Sequence, residues 1–600
     1  MSADYKIVDG LVAKVLFGAN ITDNKQNMYL PASVQEGAPY GGIGQVGSFF
    51  TVNWLNENTL SYNKKIGKVH SIGAVVGYTQ QESVTTSAIA GASGFPSDAT
   101  TYNALQNGTQ QSVVVSGYAS SPASGQSKWV LESFLARVNY GYKDKYLLTL
   151  TTRADGSSKF SAGHKWGTFP SAAVAWNASN EDFVKQFKAI SLLKFRFSAG
   201  ITGNQQIPPY QSLAQMTYER YNFGNTTVAG FAPTNIYNPN LTWEKTTQYN
   251  FGVDLGLFNN RISVVADIYL KKTRDLLLNL TIPSQTGVLN YTSTVLQDQA
   301  YENAGSMENK GFELALLTQN IVGKKFKWNT TLVYSENRNK ITSLASGLNQ
   351  LVPNTALPSV AAVGYSAGSF LVYQTDGLVA AGTSLKDASA VTINAPADPN
   401  NKTLALAGQQ KYKDIDGDGK ITANDRIVIN NQPKFIAGLT NTFSYASKFG
   451  TVDLTIFFQT VYGNKIFNQN ASVLGVGTGY QNASGNYLEY YTAGRTNTDI
   501  AAPFPNPAPT TSSSRYIEDG SYVRLKNLTL GYSLPTTLLE KARIKSIRIY
   551  VSAQNLVTWT KYTGFDPEVS SNDQSGINMG VDLGSYPNIK TVLGGLQLSF

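Results

Sequence analysis

Apolar and polar residues alternate with a period of two along this chain, and that pattern restricts the possible folds more tightly than any motif. Phe134, Ala136, Val138, Tyr140 and Tyr142 share one strand face, with Arg137, Asn139 and Lys143 on the other. After a turn at residues 142–145, Tyr146, Leu148 and Leu150 repeat the apolar face against Thr149, Thr151 and Arg153. The same division sets Leu193, Phe195 and Phe197 against Lys194, Arg196 and Ser198, and Tyr249, Phe251, Val253 and Leu255 against Asn250 and Asp254. One face suits lipid and the other water. A Lys or Arg on a lipid face near the midplane costs about 2–4 kcal/mol, so confining the cations to one face is informative.

The strands are joined asymmetrically. Short turns are expected at residues 8–10, 63–67, 142–145, 258–261, 320–325 and 448–450, and between them lie long Gly/Ser/Asn-rich excursions at 22–50, 81–129, 203–246, 275–309, 337–434, 463–521 and 560–588. Helix-like runs at 178–191 and 535–546 fall among the short connections. The fold class expected is all-β, a transmembrane antiparallel β-barrel whose turns face the periplasm and whose long loops face outward. Residues 591–600, TVLGGLQLSF, form its closing strand, with Val592, Leu596, Leu598 and Phe600 facing lipid. About 17 strands can be counted, and stepping back from Phe600 puts every short turn on the periplasmic side. An odd count leaves open edges that hydrocarbon cannot satisfy, so the chain is expected to be part of a larger barrel, with first strands and an internal plug lying outside it.

Composition agrees. Only 14% of residues are charged while 11% are aromatic, including 34 Tyr, a mixture that suits strands and interfacial rings. There is no Cys, which removes thiol chemistry, thiolate metal sites and disulfides. No run approaches the roughly 18 apolar residues of a membrane helix. The net charge of +9 reads as thinly spread over solvated loops and lumen, without the basic block that would indicate a nucleic-acid partner.

The strongest chemical motif is DIDGDGKITAND at 414–425, inside the long extracellular excursion 337–434. Asp414, Asp416 and Asp418 stand at positions 1, 3 and 5 of a calcium loop, and Gly419 supplies the turn at position 6. Lys420 offers its carbonyl at 7, Ile421 is the apolar anchor and Asp425 stands at 12. A structural Ca²⁺ that rigidifies the loop is therefore expected, alongside the plainer reading of an Asp/Gly-rich turn. GYSAG at 364–368 matches a nucleophile elbow but has no base, since the two histidines, His70 and His164, lack the strand–elbow–helix context. No catalytic residue and no enzyme activity is expected. Strand-end aromatics such as Trp54, Trp176, Trp243 and Trp328 suit interfacial girdles, and Tyr480, Tyr487, Tyr490 and Tyr491 are loop candidates for ligand contact.

Several segments together resemble the SusC/RagA family of TonB-dependent outer-membrane transporters of Bacteroidetes. They are YGYKDKYLLTLTTRADGSSKF at 140–160, WGTFP at 166–170, GITGNQ at 200–205, MENKGFEL at 307–314, RYIEDGSYVRLKNLTLGYSLP at 515–535, QNLVTWTKYTGFDP at 554–567 and the terminal Phe600. The resemblance implies a barrel of about 22 strands around an amino-terminal plug. It implies energy from TonB and an external lid formed by a SusD-like surface lipoprotein. The cargo implied is oligosaccharide first and peptide second, and the location is the cell outer membrane. Signal peptide, TonB box and plug have no counterpart in these residues, so the implied gating belongs to the parent protein. The alternative is a porin, or a surface adhesin or structural β protein, without TonB coupling.

Overall fold

The computed structural model describes residues 1–110, 122–224, 226–233, 235–281, 299–345, 347–352, 357–393, 397–398, 400–475, 482–503, 512–539, 544–568, 571 and 576–600. Seventeen strands form one antiparallel sheet. In chain order they are β1 Ser2–Val8, β2 Leu11–Leu30, β3 Ile43–Ile66, β4 His70–Ser93, β5 Ala123–Tyr142 and β6 Tyr146–Ser157. There follow β7 Trp166–Asn177, β8 Ile190–Asn204, β9 Glu244–Leu257, β10 Ile262–Arg274, β11 Ser306–Val322 and β12 Phe326–Ser343. The last five are β13 Phe435–Ser447, β14 Gly450–Tyr462, β15 Tyr522–Ser533, β16 Ser546–Thr560 and β17 Thr591–Ser599. Sequence neighbours pair along the sheet, as in the registers Tyr140↔Leu148, Leu332↔Leu439 and Ile549↔Leu596. Among the described residues no helix is long and apolar enough to cross a membrane, which says nothing of spanning by strands.

The chain divides into two compact units. One comprises Met1–Asn180, Arg196–Tyr249 and Lys272–Gly305. Its strands β2, β3 and β4 are 20, 24 and 24 residues long. At roughly 3.3 Å per residue, 24 residues reach about 80 Å, whereas about 9–11 tilted residues cross a bilayer. These hairpins therefore rise far beyond any hydrocarbon layer, and the excursions expected at 22–50 and 81–129 shrink accordingly. Above the membrane a strand needs only ladder hydrogen bonds and no apolar face, so its pattern fades although its backbone continues. In the same unit Phe169 of β7 packs with the loop residues Phe160, Ile207, Leu241 and Trp243 in a small core, and the Trp243 indole N–H donates to the Lys165 carbonyl at 2.8 Å.

The other unit comprises Glu181–Phe195, Asn250–Lys271 and Ser306–Phe600. Here β13 and β14 meet at a tight turn, and the excursions that follow β12, β14 and β16 carry small sheets of their own. The excursion expected from residue 337 begins later, because β12 runs on to Ser343.

In both units one face of the sheet exposes large apolar side chains. Val138 is 46% exposed, and Leu150, Phe197, Phe251, Val551 and Leu596 are exposed as well. The other face is hydrogen-bonded and polar: Thr149 donates to Asn139 at 2.9 Å, Arg137 to Thr151 at 3.1 Å, and Thr51 and Thr85 share a bond of 3.0 Å. In the second unit Arg548 forms a forked pair with Asp453 at 3.0 and 2.6 Å, passing over Gly531, where a Cβ would collide with the guanidinium. Gly595 of β17 similarly clears space for the Tyr550 ring, which would lie 2.2 Å from an added Cβ. The short turns close near where they are expected, although β3 runs on to Ile66 and moves the turn expected at 63–67 to 67–69; between the paired Tyr142 and Tyr146, Lys143 and Asp144 both take left-handed backbone, with φ of 54° and 53°, and the Lys145 N–H donates to the Tyr142 carbonyl at 2.9 Å.

Candidate functional site

The three excursions of the second unit fold together at the long-loop ends of its strands. Ser359–Ala362, Ser369–Tyr373 and Arg426–Ile429 join Gln350–Leu351 in a four-stranded sheet. Lys465–Asn468, Ile517–Asp519 and Val581–Asp582 form a three-stranded sheet drawn from two different excursions, with Phe467 paired in parallel to Val581. Phe370, Val372, Phe467 and Val581 pack into one water-excluded core between them. Polar ties complete the body: the Tyr562 hydroxyl donates to Asp582 at 2.6 Å, and Glu518 accepts from the Thr563 backbone and hydroxyl, both at 2.7 Å.

One cation locks this body to the sheet. Arg524 on β15 is 2% exposed and reaches Asp566, Glu568 (2.7 Å) and the Thr558 hydroxyl (2.8 Å), while Lys526 meets Glu568 at 2.8 Å. Burial opposes ionisation of Asp566, yet the Glu568 N–H, Arg524 and the Asn588 N–H together hold its carboxyl below the ordinary range. Breaking such a pair from one side strands a buried charge. Nothing in the alternation marked Arg524 as different from other inward cations; its carboxylate partners lie about 40 residues downstream in a loop.

The calcium-like segment leads into Arg426–Ile429. Ligand oxygens of Asp414, Asp416 and Asp418 lie within 4.8 Å of one another, so the sequence spacing does bring these three together. Asp414 accepts from the Gly417 and Gly419 N–H groups at 2.7 and 2.8 Å, and Asp418 from the Lys420 N–H at 2.8 Å. Asp425 stands apart. It is fully buried and accepts from the N–H groups of Ile415 at 2.7 Å and Thr422 at 2.6 Å. The Thr422 N–H leads the interactions that hold its carboxyl below the usual range. Three hard carboxylates around a glycine-bearing turn fit a divalent cation of the calcium type, with Asp425 fixing the loop's ends.

The minor motifs find structural uses. Ser366 of GYSAG is buried and bonded to Asn430 at 2.7 Å, His70 Nδ1 shares a 2.8 Å bond with Tyr140, and the His164 N–H donates to the Ser161 carbonyl at 3.0 Å. Of the loop tyrosines, Tyr487 and Tyr491 are largely buried, while Tyr480 lies outside the described residues.

Residues 4–556 match the family model of the TonB dependent receptor-like β-barrel. The chain is 35% identical to TonB-dependent receptor P3 of Formosa agariphila, over all of this chain and 57% of that protein. It is 32% identical to TonB-dependent receptor SusC of Bacteroides thetaiotaomicron over 78% of this chain and 44% of that one. Its fold resembles the structure of the RagAB peptide transporter with a TM-score of 0.78 and 26% identity, covering all of this chain and 61% of that one. The chain thus spans about half the length of the curated relatives it matches. A seventeen-stranded antiparallel sheet, polar on one face and apolar on the other, is what barrel strands of that family require, and the chain belongs to the TonB-dependent receptor β-barrel family of the outer membrane.

Proposed function

We propose that this chain is the greater part of the barrel wall of an importer of the SusC/RagA kind, energised through TonB and capped outside by a SusD-like lipoprotein. The observation that carries this is the folded body of three excursions at the long-loop ends, which faces the exterior in this reading. A porin or an adhesin needs loops; an importer with a hinged lipoprotein lid needs a rigid rim for it to close against. Oligosaccharide is the proposed cargo, supported by the likeness to SusC and by neutral hydroxyl and amide ladders on the inner face, which hydrogen-bond sugars without demanding charge. Peptide is the second reading, favoured by the fold's likeness to the RagAB peptide transporter. Uptake in a strain lacking the gene separates them. Lost growth on oligosaccharides alone supports the first, lost growth on peptides alone the second, and unimpaired growth on both removes import.

We further propose that Asp414, Asp416, Asp418 and the Lys420 carbonyl bind Ca²⁺ as a structural ion, with Asp425 holding the loop for it. Hydrogen exchange across residues 414–429, with and without Ca²⁺, tests this. Added protection that disappears in Asp414→Ala and Asp418→Ala is expected; protection indifferent to metal removes the proposal.

A further inference from the structure

The chain's positive charge is not spread as thinly as its sequence suggests. Residues 63–69, the end of β3 and its turn into β4 in the first unit, carry Lys64, Lys65 and Lys68, all exposed, with no Asp or Glu among them. Residues 323–327, the β11–β12 turn and the first two residues of β12 in the second unit, carry Lys324, Lys325 and Lys327, again all exposed and without a carboxylate. These six stand against a chain-wide excess of nine. Because the sheet is a meander, both connections lie at the short-turn ends of their strands. Neither connection holds a carboxylate of its own; the nearby one, Asp9 of the β1–β2 turn, is paired to Lys6 at 2.8 Å and also acts on Lys64, leaving Lys65 and Lys68 as the cations of the first triad without such a neighbour in their own turn.

Each triad sits beside aromatic side chains of the kind that mark the headgroup level of a bilayer. Lys64 is in register with Ile72, two residues from His70, whose ring is bonded to the Tyr140 hydroxyl. The Val69 carbonyl accepts from the Lys143 N–H at 2.6 Å, which brings a further lysine whose Nζ lies 5.2 Å from the Tyr142 ring centre. In the second unit Phe326 and Trp328 flank Lys327 and stack on Phe443 at 6.4 and 5.6 Å, and the Ala446 N–H donates to the Lys325 carbonyl at 2.7 Å. An ammonium on a flexible stem at this depth reaches the phosphate plane while its methylenes stay against apolar surface.

We propose that each lysine triad, taken by itself, is a docking surface for the phosphates of anionic phospholipids in the leaflet at the short-turn ends of its own strands. The proposal rests on the sidedness given above, which makes this the periplasmic leaflet. Each lysine near an anionic surface favours binding by about fivefold, and salt screens the attraction.

The test uses the full-length gene product in nanodiscs of equimolar phosphatidylethanolamine and phosphatidylglycerol, with retained lipids quantified by mass spectrometry. Replacing all six lysines by Gln is expected to lower phosphatidylglycerol retention about tenfold or more at low salt. The six-fold Arg replacement should retain it, and Lys386→Gln with Lys402→Gln, exposed positions in the excursion after β12, should change nothing. Heat-modifiable migration of the Gln variant reports its folding; if it fails to fold, the two single-triad variants are measured instead, each expected to lose part of the retention. Equal retention in wild-type and Gln forms overturns the proposal, as does retention unaffected by salt. If outer-membrane extracts show the lysines retaining lipopolysaccharide instead of phospholipid, the assignment to this leaflet is overturned, whereas cargo uptake tests the importer reading separately.

Discussion

The sheet and the body of excursions in the second unit use the same residue types in opposite ways. In the sheet, Val551, Leu530 and Leu596 are more than 45% exposed, while polar pairs such as Arg548–Asp453 turn to the other face. In the excursions, Phe370, Val372, Phe467 and Val581 are packed away and the carboxylates of Asp414, Asp416 and Asp418 cluster near the surface. The solvent each region meets decides the difference: hydrocarbon rewards exposed side chains of low polarity and punishes an open backbone, whereas water rewards their burial. One chain thus carries two folding rules, and its β15 and β16 pass from one to the other within a few residues.

The comparison can be broken at several points. The largest effect is expected where the regions are tied together: Arg524→Ala leaves Asp566 buried and unpaired at a cost of about 3–5 kcal/mol, read as early proteolysis of the 561–590 loop while the sheet stays intact. Simultaneous loss of the sheet would show that the two are not separable. Next is Val138→Arg, which puts a cation on the lipid face four residues from the short-turn end of β5, inside the length that crosses a bilayer, and should cost about 2–4 kcal/mol in refolding titrations into bilayers. Asn139→Arg, on the opposite face, is expected to be close to neutral; equal costs would mean the face assignment is wrong.

A smaller effect, about 1–3 kcal/mol from overpacking, is expected for Gly595→Ala, whose Cβ meets the Tyr550 ring. Slower assembly of the last strand, followed by gel shift, is its readout. The gentlest probe is acid. Asp425 is held below its ordinary value by backbone donors led by the Thr422 N–H. Its contribution is therefore complete above the usual carboxylate range near pH 4 and is lost only as pH falls through the lowered folded value. Exchange protection of residues 415–422 should persist at pH 5 and fade in stronger acid, and Asp425→Asn should abolish that dependence. Fading that begins above pH 5 would contradict this assignment.

Much of the sheet was legible in the sequence because lipid imposes a strict period: the strand faces around Phe134–Val138 and Val592–Leu598, and the short turns, follow from it. Leu593 is an exception in detail, 47% exposed on the face assigned away from lipid. Strand length was not legible, since β2, β3 and β4 continue where no apolar pattern is required. The triad of acidic residues could be read from spacing alone because its contacts are local. Arg524 and the shared core could not, because Phe370, Phe467 and Val581 come from three separate excursions. The lysine triads do not stand out in the sequence for a similar reason: each is short, and they lie about 260 residues apart.

The parallel pairing of Phe467 with Val581 has a consequence for biogenesis. The strand Val581–Asp582 lies immediately before β17, so the body of excursions lacks one of its core residues until the excursion after β16 has been delivered. Its completion and the placement of β17 become neighbouring events in time. A chain stalled before Val581 would display an unfinished body at the long-loop ends and could be told apart from a mature one by that alone.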